Sequence, residues 1–122
     1  MTGYTAPVRP LSIDITVERR CIVLRLGGHL VTDNVPRLSR WLDRIGRLED
    51  GVLVAMDLQG VVGCDSVGVD ALVDGAGRIR RAGGLLIAAH YPDACAAHRA
   101  RAALETRPTV HDAIDELRDR HG

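Results

Sequence analysis

Met56-Asp57-Leu58-Gln59-Gly60-Val61-Val62-Gly63-Cys64-Asp65-Ser66-Val67-Gly68-Val69 is the stretch that decides the fold. It continues an apolar run, Val52-Leu53-Val54-Ala55, of strand length. Such a run suits a central strand covered on both faces. Asp57 stands where this strand should end, and Gly60 and Gly63 punctuate the loop expected to follow. The loop hands Asp65-Ser66 to the start of a helix. From Ser66 to Arg81, Val69, Leu72, Val73, Ala76 and Ile79 share one helical face, with Asp70, Asp74 and Arg78 opposite. Asp74 and Arg78 are spaced to pair. Ser66 falls at the N-cap or in the first turn, where a hydroxyl can accept an orphan backbone N–H.

Upstream, Ser12 to Glu18 alternates, with Ile13, Ile15 and Val17 on one side, as a half-buried strand does. Arg19-Arg20 makes a turn and Cys21 to Leu26 a second strand, giving a hairpin. Gly27-Gly28 loosens the backbone before His29-Leu30-Val31. Thr32 or Asp33 can cap a helix with Pro36 in its first turn. Val35, Leu38, Trp41, Leu42, Ile45 and Leu48 are expected to form its buried stripe. Arg37, Arg40, Arg44 and Arg47 make a basic ridge on the other side, diluted by Asp43 and Glu49. A ridge of this kind serves an anionic partner, a lipid surface or simply solvent.

Downstream, Gly83-Gly84 closes the second helix and Leu85 to Ala89 is another buried strand. Pro92 to Leu104 is expected to be helical, Thr109-Val110 a short strand, and Asp112 to Arg120 a final helix with Ala113, Ile114 and Leu117 inward. The order β-β-α-β-α-β-α-(β)-α implies an α/β fold: a mixed sheet of about 4–5 strands packed against about four helices. Residues 1–10 read as a loose tail and 11–122 as one domain.

Composition narrows the function. The chain has 122 residues, 46% of them hydrophobic, enough for one core. Its formal net charge is +0 and it contains no lysine, so it lacks the basic excess that nucleic-acid binding draws on. No apolar run approaches the ~20 residues that span a bilayer, and Met1 to Pro10, without an apolar h-region, is not expected to be a signal peptide. No membrane insertion is expected, and a cytoplasmic location is. Cys21, Cys64 and Cys95 form no C-x-x-C pair and read as buried thiols in a reducing cytosol. The five histidines (His29, His90, His98, His111 and His121) show no metal-binding spacing, so neither metal nor other cofactor is expected.

The strand followed by Asp57-Leu58-Gln59-Gly60-Val61, then Asp65-Ser66-Val67-Gly68-Val69 and an amphipathic helix, resembles the STAS domains of bacterial anti-sigma factor antagonists. Gly28-His29-Leu30, Gly83-Gly84-Leu85 and Thr109-Val110-His111-Asp112-Ala113 extend the resemblance over Ser12 to Leu117. It implies a non-enzymatic regulator of transcription with Ser66 as the phosphorylated residue. The implied partner is an anti-sigma factor that is itself an ATP-dependent serine kinase; only the unmodified antagonist binds it and frees the sigma factor. A phosphatase acting on phospho-Ser66 would complete the switch. Asp65, Ser66, Val67, Gly68, Asp70 and His29 are the partner-binding candidates. The chain departs from the family pattern at Val67, where a second serine is usual. Gly63 stands where a bulky apolar residue is common, and Gly28-His29-Leu30-Val31 replaces a loop with two acids.

Other functions are weighed against this one. Ser66 as a hydrolase nucleophile would need G-x-S-x-G, but the local string is Cys64-Asp65-Ser66-Val67-Gly68. A P-loop would need a lysine. Within the same fold, the domain could instead be a scaffold subunit of a stress-signalling complex or of a lipid-transport system.

Overall fold

The computed structural model describes residues 9–95 and 103–121. Among these residues, five strands form one mixed sheet in chain order, β1 (Ser12–Glu18), β2 (Cys21–Leu30), β3 (Leu53–Cys64), β4 (Leu85–Ala89) and β5 (Thr106–Arg107). β1 and β2 pair antiparallel, and every later neighbour is parallel. The hairpin turns on Arg19 and Arg20, with φ of 52° and 68°. Two left-handed residues are what a two-residue hairpin turn demands, and most proteins place Asn-Gly there.

Three α-helices cover the sheet among the described residues: α1 (Val35–Gly46), α2 (Ser66–Arg81) and α3 (Val110–His121). About four were expected, and three lie among the described residues. Pro92–Leu104 falls mostly outside the described residues, and the part that is described turns once as a 3-10 helix at Asp93–Cys95. α1 and α2 cover one sheet face. Leu38, Leu42 and Ile45 of α1 meet Val69, Leu72 and Ile79 of α2 over Leu24, Val54, Met56 and Leu86. The other face holds Cys21, Val23, Leu53, Ala55 and Ile87 beneath Ala113, Ile114 and Leu117 of α3. Alternate residues of β3 thus enter different cores, so Val52 to Leu58 is buried throughout.

β3 does not end at Asp57. It runs on to Cys64 beside β2, with register shifts between Arg25 and Gly27 and between Gly28 and His29. The glycines that read as a loop are what let the pairing continue. A Cβ on Gly60 would lie 3.1 Å from both the Gly27 Cα and the Leu26 carbonyl oxygen, so the strands approach here as only bare backbone can. Asp57 itself is 9% exposed. It accepts the Gln59 N–H at 2.9 Å and faces the Arg25 guanidinium at 3.6 Å.

Two further boundaries move. Thr32–Asn34 is a 3-10 turn, so α1 starts at Val35 without a Thr32 or Asp33 cap. The last strand lies at Thr106–Arg107 rather than Thr109-Val110, because the Thr109 hydroxyl accepts the Asp112 N–H at 3.1 Å and opens α3 instead. Arg120 of α3 pairs with Glu105 and Glu116, holding both carboxyls below their ordinary range and tying the helix to the β5 edge.

The cysteines also differ from the expectation of three separate thiols. Cys64, the last residue of β3, is bonded to Cys95 across a Cα–Cα distance of 5.8 Å. Cys21 alone is free; it is fully buried, and burial pushes its thiol up.

Candidate functional site

The ends of β2 and β3 and the start of α2 meet at Asp65. Its backbone is extended (φ −115°, ψ 176°), and its N–H reaches the Leu30 carbonyl at 3.2 Å. One carboxylate oxygen accepts the Gly68 N–H at 2.8 Å. The other accepts both the backbone N–H and the hydroxyl of Thr32, at 3.0 and 2.9 Å. Asp65 is thus the N-cap of α2 and the anchor of the turn before α1. A charged acceptor satisfying several donors in this way is stronger than a neutral cap.

Ser66 is consequently the first residue of α2 and not its cap. Its side chain is exposed, and among the described residues nothing holds its hydroxyl. Asp and Ser are equally good caps at adjacent positions; the carboxylate takes the role because the Thr32 donors also converge on it. The hydroxyl therefore stands at the positive end of a 16-residue helix with no structural duty.

Val67 follows at 45% exposure and Val62, on the approach, at 53%. Val67, the next residue in the chain, gives Ser66 an exposed apolar neighbour. Asp70 is exposed one turn along α2. Gly68 is buried: a Cβ there would be driven into the carbonyl and side chain of Leu30. It is the residue that lets α2 begin against the end of β2.

His29 lies beside Gly63 across the β2–β3 pairing. Its Nδ1 accepts the Arg9 N–H at 2.9 Å, and its carbonyl accepts from the Asn34 amide at 2.7 Å. A Cβ on Gly63 would sit 3.1 Å from the His29 ring. The ring therefore occupies space that a larger residue at position 63 would claim. Asp65, Ser66, Val67, Gly68 and His29 all belong to this one end of the sheet. Thr32 is the member that sequence reasoning missed. Its link to Asp65 spans 33 positions, and no local pattern announces it.

A family model described as the STAS domain matches residues 12–117. Among solved structures, an anti-sigma factor antagonist from Mycobacterium paratuberculosis superposes with a TM-score of 0.77 at 17% identity, covering 95% of this chain and 100% of that one. The anti-sigma factor antagonist SpoIIAA in its unphosphorylated form gives 0.67 at 17% identity, over 88% of this chain and 97% of that one. The murine Slc26a9 anion transporter in the inward-facing state gives 0.66 at 12% identity, over 91% of this chain but 22% of the transporter. At these identities the likeness is one of fold. No curated protein matches the chain.

Proposed function

Because the chain belongs to the STAS domain family, we propose that it acts as an anti-sigma factor antagonist, a binding protein switched by phosphorylation of Ser66. The observation that carries this reading is the division of labour at the start of α2. Asp65 does the capping, which leaves the Ser66 hydroxyl exposed and unengaged. Phosphate would add about −1.5 to −2 charges at pH 7 without breaking any hydrogen bond of the fold. Beside the Asp65 carboxylate and the exposed Val67, that charge would oppose a partner packed around a neutral hydroxyl. The switch acts on binding and leaves folding alone.

The proposed partner is an anti-sigma factor that is also an ATP-dependent serine kinase, with a phosphatase resetting phospho-Ser66, in the cytoplasm. No helix among the described residues is long and apolar enough to cross a membrane. Incubation with candidate anti-sigma kinases and ATP, followed by mapping of the phosphosite, tests the reading. Ser66→Ala is expected to keep partner affinity, lose phosphate incorporation and melt close to wild type, since its hydroxyl caps nothing. Ser66→Asp is expected to stay folded and bind at least about tenfold more weakly, because a carboxylate reproduces part of the phosphate charge. Tight binding by Ser66→Asp, with phosphate elsewhere or nowhere, would favour a scaffold or transport-subunit role.

Val67 supplies an independent check. At 45% exposure it contributes little to the core, so Val67→Asp should change the melting temperature by no more than a few degrees. Partner binding should fall by about tenfold or more, as loss of a central apolar contact does. A large drop in stability with binding intact would make Val67 a packing residue.

A further inference from the structure

α1 carries a basic groove lined by none of the residues around Ser66. Trp41 was expected in the buried stripe with Leu38, Leu42 and Ile45, but it is only half buried, and Leu48 lies beyond the helix at 66% exposure. The reason is angular. At about 100° per residue, Trp41 sits roughly 60° round the helix from Leu38, with Arg37 and Arg44 roughly 40° and 60° further round, at the margin of the buried stripe. Trp41 therefore floors a groove of about 230 Å³ lined by Arg37, Arg40 and Arg44.

These three arginines are not neutralised. Arg19, Arg25, Arg78, Arg107 and Arg120 each stand against a carboxylate. Among the described residues, Arg37, Arg40 and Arg44 pair with none. Asp43, the acid within α1, is turned away to Arg78 of α2 and leaves the groove its charge. Two of the guanidiniums are already positioned. Arg37 donates to the Leu11 carbonyl, and Arg44 lies over the Trp41 ring at 5.6 Å from its centroid. A groove of this volume, walled by planar five-donor forks and floored by an indole, suits an oxyanion with several acceptor oxygens.

We propose that the groove formed by Arg37, Arg40 and Arg44 around Trp41 binds a phosphate-bearing ligand, either a small phosphate compound or the phosphate of a lipid headgroup. The site is independent of the Ser66 switch and does not rest on the anti-sigma reading.

Trp41 is the chain's one tryptophan, so its fluorescence reports on this groove alone. Wild-type protein is titrated with pyrophosphate, with phosphatidylglycerol vesicles and with phosphatidylcholine vesicles. The comparison proteins are Arg40→Gln/Arg44→Gln and, as a charge-matched control, Arg80→Gln/Arg81→Gln on the exposed end of α2. Arg37 is left intact because it holds Leu11. A saturable change with pyrophosphate, weakened at least about tenfold in the groove variant and kept in the control, assigns a small phosphate ligand. A change with phosphatidylglycerol only, and the same variant pattern, assigns the headgroup. No response to either, or equal loss in both variants, overturns the proposal. Melting curves of the variants, whose substituted side chains are exposed, separate a lost ligand from a lost fold.

Discussion

Gly68→Ala is expected to lower the melting temperature by on the order of 10–15 °C, equivalent to about 3 kcal/mol in a domain of this size. Helix propensity alone predicts the opposite sign, because alanine is better than glycine inside a helix by about 1 kcal/mol. Sterics decide. The new Cβ would strike the carbonyl group of Leu30, which is backbone and already accepts the Asp65 N–H. It cannot swing aside as a side chain could. Relief requires the first turn of α2 to lift, and that stretches the Asp65 bonds to Gly68 and Thr32 together. Gly77→Ala is the internal comparison. Its Cβ would meet only the far end of Arg81, at 3.3 Å, so the propensity gain should survive and raise the melting temperature slightly. If both alanines stabilise, the close approach of α2 to β2 is not a constraint.

Reduction of the Cys64–Cys95 bond is the second large effect. The bond spans 31 positions, and opening a loop of that length is worth about 3–4 kcal/mol through the chain entropy restored to the unfolded state. Dithiothreitol should therefore depress the melting temperature by on the order of 10 °C. Cys95→Ser without reductant should match reduced wild type. Cys21→Ser should leave the effect of reductant unchanged, because Cys21 has no disulfide partner. A melting curve that does not respond to reductant would return Cys64 and Cys95 to separate thiols.

Much of the fold was legible because periodicity and punctuation agree. The hairpin, the two-sided burial of Val52 to Leu58 and the limits of α2 follow from side-chain pattern alone. The errors arise where one local signal has two meanings. Gly60 and Gly63 mark loops in most contexts, yet here they mark close approach within a long strand. Thr109 has strand propensity but caps a helix. At the candidate site the Asp-Ser-x-Gly string identified the helix start, but not which of Asp65 and Ser66 caps it. That choice depends on Thr32, brought in by tertiary structure. The Cys64–Cys95 bond was hidden for the same reason, since spacing carries no information about which residues the fold brings together.

Strand order that matches chain order also governs how the domain can be assembled as it is synthesised. Each new strand adds to the edge left by its predecessor, and none must be threaded between two already in place. The sheet can therefore grow from its N-terminal hairpin while the rest of the chain is still being made, as domains that fold N-terminal first do. The two faces do not close together. α1 and α2 are delivered between strands and cover their side as it forms, whereas α3 follows β5. Until Val110 to His121 emerges, Cys21, Val23, Ala55 and Ile87 present an uncovered apolar surface. A nascent chain halted before Val110 would expose that surface, and docking of α3 is the step that covers it.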